Sequence, residues 1–83
     1  MLQLRPGCEC CDTDLPGEST QAFICSFECT FCARCAHDTL KGKCPNCGGE
    51  LVRRPTRAPE KLRNNPASTL RIFKPEGCGE RIA

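Results

Sequence analysis

Eight of the nine cysteines in residues 1–52 stand in four pairs, each spaced to bind one metal ion from the two sides of a tight turn. In chain order the pairs are Cys8 and Cys11, Cys25 and Cys29, Cys32 and Cys35, and Cys44 and Cys47. Zinc takes four thiolates at about 2.3 Å in structural sites, so two pairs complete one shell. The four pairs therefore predict two structural Zn²⁺ ions, and iron–sulfur ligation by the same thiolates is the rival hypothesis.

The four pairs can combine into two sites in three ways. Combining the first pair with the fourth would crowd the two middle pairs around one ion. Sequential pairing would give two separate metal-binding units with little to pack between them. Interleaving the first pair with the third ties together segments that are distant in sequence. The three residue steps from Cys29 to Cys32 span up to about 10 Å, which is enough to serve two ions. We favour the interleaved arrangement and keep sequential pairing as the alternative.

The ladder C-x2-C-x13-C-x3-C-x2-C-x2-C-x8-C-x2-C over residues 8–47 resembles the RING finger family, with Cys29 where that family commonly has histidine. Pro45 and Asn46 resemble its C-P-x-C turn. The resemblance implies a cross-brace with Cys8, Cys11, Cys32 and Cys35 at the first zinc, and Cys25, Cys29, Cys44 and Cys47 at the second. The stretch CPNCGGELVRRP also resembles an uncharacterised bacterial family of short cysteine-rich proteins.

The surface by which RING ubiquitin ligases recruit their conjugating partner has no counterpart in this sequence. The family usually has an apolar residue between its first two ligands, a large aromatic between the sixth and seventh, and often a basic residue after the eighth. Here these places hold Glu9 and Cys10, a segment 36–43 without aromatic residues, and Gly48. We therefore expect the fold without the ligase activity, which remains the least favoured alternative. Because closed sulfur shells leave no position for water or substrate, we expect no enzymatic activity.

The chain is too short and too poor in large apolar residues to fold around a conventional core. It has 83 residues, ten of them cysteine, and no tryptophan or tyrosine. Domains of this size usually need disulfides or a metal. The N-terminal residues MLQLRPGCECC lack the apolar stretch of a secretory signal, and no run is long enough for a membrane span. We expect a cytoplasmic, zinc-dependent monomer that does not bind membranes, with a secreted disulfide-bonded domain as the alternative.

Short elements must position the cysteines. We predict a β-hairpin of residues 22–25 and 26–29 around the second site, and one or two helical turns over 36–41 that end at Gly42. The glycines at 48 and 49 then let residues 50–52 return as a short strand.

The two halves of the chain differ in charge. Residues 1–52 carry four basic and seven acidic side chains, whereas residues 53–83 carry eight basic and three acidic ones. The second segment also contains four of the seven prolines, which interrupt helices and sheets alike. We predict a two-zinc domain over 1–52 and a largely disordered basic tail over 53–83. Within the tail, Leu70, Ile72 and Phe73 are either isolated apolar residues or a short docking strand.

Three residues lie outside the ligand pattern. Cys10 is expected to be a spare thiol, because the spacing of Cys8 and Cys11 fits a metal-binding turn better. Cys78 is expected to be a free thiol, and His37 an exposed histidine, although either Cys10 or His37 could replace a predicted ligand.

The function that these features favour is a non-catalytic, zinc-binding module that interacts with a protein partner. Zinc thiolates make the acidic segment more negative, so only the basic tail could bind nucleic acid, and without stacking aromatics such binding would be weak and salt-sensitive. Tail-driven nucleic-acid binding is one alternative. A zinc or thiol stress sensor that uses Cys10 and Cys78 is the other.

Overall fold

Three short antiparallel strands hold the middle of the chain together. The computed structural model of the protein describes residues 1–74. Strands β1 (Ala22–Ile24), β2 (Thr30–Cys32) and β3 (Val52–Arg53) form one sheet in the order β2-β1-β3. Phe23 lies opposite Phe31 on one side and Arg53 on the other.

The hairpin is present, but its second strand begins later than predicted. Residues 25–29, expected to be extended, form the loop between β1 and β2. The backbone N–H of Cys25 donates to the carbonyl of Cys29 at 3.3 Å, and that of Glu28 donates to the carbonyl of Cys25 at 3.0 Å. Glu28 has φ +65°, a left-handed conformation that ends an extended strand. The prediction of a strand over 26–29 is therefore wrong, because the chain turns between these two cysteines.

A single helical turn follows the third cysteine pair. It is a π-helix, Cys35–Thr39, in which the N–H of Leu40 donates to the carbonyl of Cys35 at 2.9 Å. The N–H of Gly42 then donates to the carbonyl of Ala36 at 2.8 Å, and Gly42 has φ +79°. The prediction of a short helix closed by Gly42 is confirmed, although the turn begins and ends slightly earlier than residues 36–41. The return strand is present as β3, but it covers Val52–Arg53 and shares only Val52 with the predicted residues 50–52.

Cysteines and apolar side chains share one small core. Its large apolar members Leu15, Phe31, Leu40 and Leu51 are buried and pack with the cysteines. Phe27 does not belong to this core, because it lies in the hairpin loop and is 71% exposed. The core therefore surrounds the cysteines and does not form a separate apolar layer.

The described part of the basic tail, residues 53–74, packs on the preceding domain. Strand β3 crosses the predicted boundary after Val52, and the next residue, Arg54, is 0% exposed. Helix α1 (Pro59–Asn64) begins with proline, whose fixed φ suits a first helical position. Farther on, the N–H of Ser68 donates to the carbonyl of Gln3 at 2.8 Å. These contacts differ from the disorder that the proline content predicts.

Two further predictions for the tail have different outcomes. No strand forms over residues 70–73 within the described chain, and Leu70 and Phe73 are exposed. The prediction for Cys78 lies outside the described residues. Among residues 1–74, no helix combines the length and apolar character needed to cross a bilayer.

Candidate metal centre

The first and last cysteine pairs adopt the same backbone turn. We call them the first loop (residues 8–13) and the last loop (residues 44–49). In the first loop, the N–H of Asp12 donates to the carbonyl of Cys8 at 2.9 Å, and in the last loop Gly48 does the same to Cys44 at 2.9 Å. Asp12 and Gly48 both have left-handed backbones, with φ +62° and +79°. Each loop therefore presents its two cysteines on one side of a closed turn.

The first cluster consists of Cys8, Cys11, Cys32 and Cys35. Their four sulfur atoms all lie within 4.8 Å of one another. Cys8, Cys32 and Cys35 are buried, whereas Cys11 is exposed. The first loop supplies two sulfurs, and the end of β2 together with the π-helical turn supplies the other two. This is the group that the interleaved arrangement assigns to one ion.

The second cluster consists of Cys25, Cys44 and Cys47, with Cys29 beside it. The sulfurs of the first three lie within 4.8 Å of one another, and Cys29 falls outside this limit. The sulfur of Cys29 nevertheless interacts with those of Cys25 and Cys44. The hairpin loop and the last loop thus bring together all four cysteines predicted for the second ion, three of them closely. Their assignment as zinc ligands stays a prediction.

The thiols of the first cluster differ in how readily they ionise. Burial raises the pKa of Cys35, and the neighbouring sulfurs of Cys32 and Cys8 raise it further. Burial also raises the pKa of Cys8. It opposes the charged form of Cys11 as well, but hydrogen bonds, chiefly from Thr13, lower the pKa of Cys11 to about 6. The hydroxyl of Thr13 lies 3.0 Å from the Cys11 sulfur.

The second cluster repeats this pattern. Burial raises the pKa of Cys44 to about 12. Burial also opposes ionisation of Cys25, but the backbone N–H groups of Phe27 and Cys29 outweigh it and lower the pKa of Cys25. The Phe27 nitrogen lies 3.3 Å from that sulfur. Each cluster thus combines one thiol that ionises readily with others whose charge needs compensation. A cation bound by thiolates compensates such charge, so both clusters could hold a metal ion.

The roles of Glu9 and Asn46 at this centre were not predicted from the sequence. Glu9, within the first loop, is 2% exposed, and its carboxylate accepts hydrogen bonds from Thr30 and from Asn46 of the last loop. The sequence does contain a sign of this role, because Glu9 is an acidic residue inside a cysteine pair, where the RING resemblance implies an apolar residue. The sequence could not show that this side chain turns inward.

The two residues considered as substitute ligands lie outside both clusters. His37 is exposed, and its ring meets that of Phe23 edge-on with centroids 4.9 Å apart. Cys10 is half-buried and disulfide-bonded, so the prediction of a spare free thiol at this position is wrong.

Comparison with known proteins gives a family but no activity. A family model described as a protein of unknown function (DUF1272) matches residues 1–57. An uncharacterised protein of Rhizobium meliloti (strain 1021) is 64% identical over 84 residues, which cover 100% of both chains. No solved structure matches the chain significantly.

Proposed function

Because the chain belongs to the DUF1272 family, whose function is unknown, we propose a role from the site itself: a non-catalytic two-zinc module that binds another protein. One observation carries the metal part of this proposal. Four thiols from two separate segments converge within 4.8 Å, and ionising them this close together is costly unless a cation is bound. In the second cluster, the sulfurs of Cys25, Cys44 and Cys47 lie equally close, with Cys29 beside them.

Zinc is the metal that fits this donor set best. The donors are all sulfur, and they come in pairs on tight turns, which suits a tetrahedral structural site. Zinc bound in this way supplies cross-links, because each ion joins segments that a small core could not hold together. The interleaving of the clusters favours a RING-like cross-brace over two sequential metal-binding units.

Two features support a non-catalytic role. Each set of four thiolates would form a closed shell, whereas a catalytic zinc keeps one position for water. Glu9 and Cys10 occupy the place where a RING ligase presents an apolar contact residue, and Glu9 is turned into the protein. The module is therefore proposed to act by binding.

A groove beside the second cluster suits a protein partner. Its volume is about 420 Å³, and its lining residues are Leu2, Ile24, Cys25, Ser26, Glu28, Glu50 and Val52. Phe27, on the same loop, is 71% exposed, and Val52 is 50% exposed. Glu28 and Glu50 form no ion pair with another described residue. Charge complementarity therefore favours a segment with an apolar side chain next to a lysine or arginine.

Native mass spectrometry tests the metal part, and peptide selection tests the partner part. The full chain, purified under reducing conditions, is expected to carry two zinc ions. A random twelve-residue peptide library selected on this protein is expected to enrich apolar residues next to Lys or Arg. Charge reversal at the groove, Glu28→Lys with Glu50→Lys, should abolish this preference.

The matched control reverses two exposed acids outside the groove, Glu18→Lys with Glu60→Lys, and should select the same peptides as the wild-type chain. Equal selection by the groove variant and the control would contradict the proposed surface. Absence of bound zinc from the wild-type chain would contradict the scaffold itself.

The contacts of the tail make nucleic-acid binding the weaker candidate. Arg54 and Arg57 donate to backbone carbonyls, and Arg71 pairs with Asp12 and Asp14. These cations are engaged within the protein, which leaves fewer for phosphate. A steep loss of RNA or DNA affinity with rising salt would reverse this preference.

The sensor hypothesis is carried by accessible sulfurs. Cys11 and Cys47 are exposed, one in each cluster. Zinc release under mild oxidant, before the protein unfolds, would favour this role over a purely structural one.

A further inference from the structure

Glu9 in the first loop pairs with the strand that leads to the third cysteine pair. Its backbone N–H donates to the carbonyl of Thr30 at 2.9 Å, and its Oε2 accepts the N–H of Thr30 at 3.1 Å. Thr30 is 1% exposed and lies between Cys29 and Cys32, one from each cluster. A single residue of the first loop therefore fixes the backbone between a cysteine of the second cluster and a cysteine of the first.

The other carboxylate oxygen of Glu9 reaches the last loop. Oε1 accepts a hydrogen bond from Nδ2 of Asn46 at 3.0 Å. Asn46 lies between Cys44 and Cys47, and its side chain also interacts with the sulfur of Cys29. Through Asn46, the carboxylate of the first loop is connected to both halves of the second cluster.

A buried acid is an unexpected choice at this position. Bound thiolates would give each site net negative charge, and a carboxylate between them adds to it. Within the described chain, one cation forms an ion pair with Glu9, the Arg5 guanidinium with NH1 3.7 Å from Oε2. Burying a carboxylate is costly unless its hydrogen bonds compensate. The two accepted hydrogen bonds therefore provide the compensation. Both donors adjoin cysteines of the second cluster, Thr30 next to Cys29 and Asn46 next to Cys47.

We propose that Glu9 makes the filling of the two metal sites cooperative, an inference that rests on the proposed two-zinc function. Metal at the first site orders the first loop and so fixes Glu9. The fixed carboxylate then orders Thr30 and Asn46. These two residues are adjacent to thiols of the second site. By reciprocity, metal at the second site raises the metal affinity of the first site by the same factor.

The test is stepwise loading of the metal-free full chain with Zn²⁺, with the species that carry zero, one and two ions counted by native mass spectrometry. At one equivalent, the wild-type chain is expected to hold mainly none or two. Glu9→Gln keeps the shape but turns an NH₂ group toward one of the two donors. We expect this variant to reach two ions at saturation while its one-zinc fraction at one equivalent rises severalfold, because the usual coupling between sites is about 5–150-fold.

Two further variants keep the test decisive. Asn46→Ala removes the link to the last loop from an exposed position and should raise the one-zinc species in the same way, even if Glu9→Gln fails to fold. Glu18→Gln neutralises an exposed acid outside both clusters and should load like the wild-type chain.

Unchanged one-zinc fractions in both Glu9→Gln and Asn46→Ala would overturn the inference. So would an equal loss of affinity at both sites without a one-zinc species, since that pattern reports structure alone. A wild-type chain that never binds two zinc ions would instead refute the proposed function.

Discussion

The two cysteine clusters are built on the same loop turn, yet the chain supports them differently. The first has four sulfurs within 4.8 Å, whereas the second has three, with Cys29 beside them. Cys29 ends a loop that turns through a left-handed Glu28, whereas Cys32, the next cysteine along the chain and a member of the first cluster, ends a strand. Regular backbone thus places the fourth sulfur more closely than a loop does.

The support of the first cluster continues into the tail. Arg54 donates to the carbonyls of Arg5, Leu15 and Pro16, which flank the first loop on both sides. Arg71 binds the loop itself through Asp12. The second cluster is supported from the first loop, through Glu9 and Asn46. The tail therefore stabilises the first loop, and the first loop in turn stabilises the last loop.

Metal removal is expected to produce the largest effect and to erase the difference between the clusters. Structural zinc contributes about 10–16 kcal/mol of apparent binding energy per site near neutral pH, more than a small domain's whole stability. Excess chelator should therefore unfold both clusters together, as monitored by circular dichroism and by zinc content. A native spectrum after complete demetallation would show that the apolar core alone holds the fold.

Single cysteine replacements measure the difference between the clusters directly. Cys44→Ser removes a buried sulfur from the close group of the second cluster and should eliminate one bound zinc. Cys29→Ser removes the sulfur that lies outside this group, so it should retain two zinc ions with a weaker second site. Competition with a chromophoric chelator would measure both affinities.

The comparison replacement in the first cluster is Cys32→Ser, which removes the next cysteine along the chain, at the end of β2. We expect it to behave like Cys44→Ser, because all four sulfurs of the first cluster are close. If Cys29→Ser and Cys32→Ser weaken binding equally, the two clusters are equivalent and the comparison fails.

The next effect concerns the base of the first loop. Arg54 is 0% exposed, and burial lowers the pKa of its guanidinium, partly offset by the charge of Glu28. Arg54→Met would leave carbonyls without their donor, at about 1–3 kcal/mol for each buried unsatisfied group. We expect a loss of about 3 kcal/mol in the free energy of unfolding of the zinc-loaded chain.

The control for this variant is Arg53→Met, which changes the exposed neighbour on β3 and should have little effect. NMR signals of the cysteines would locate the damage. Greater broadening in the second cluster than in the first would contradict the assignment of Arg54 to the first loop.

Local spacing carried most of what the sequence could predict. The cysteine pairs predicted two groups, their interleaving, a short helix closed by Gly42 and a returning strand. The hairpin was predicted with the wrong second strand, since the left-handed turn falls on Glu28 and no glycine signals it. For one cysteine pair, spacing alone did not distinguish a strand from a loop.

Contacts over long sequence separations were not predictable in this way. Proline and charge content predicted a disordered tail, but they say nothing about where an individual guanidinium finds acceptors. Arg54 meets the carbonyls of Arg5 and Leu15, 49 and 39 residues earlier. The carboxylate of Glu9 finds Asn46 at a separation of 37 residues. Such pairs exist only once the clusters have brought the segments together.

The smallest expected effect concerns Arg71, on the outer face of the first loop. Its side chain lies over Gly7, pairs with Asp12 at 3.0 Å and Asp14 at 2.9 Å, and has its pKa raised chiefly by the hydrogen bond with Asp12. These groups are open to solvent, so Arg71→Ala should lower the melting temperature only slightly and speed zinc release from the first cluster. The effect should fade in 1 M salt, where the screening length falls to about 3 Å. Arg63→Ala, on exposed α1, is the matched control, and an equal, salt-independent loss in both variants would show that Arg71 does not support the first cluster through its charge.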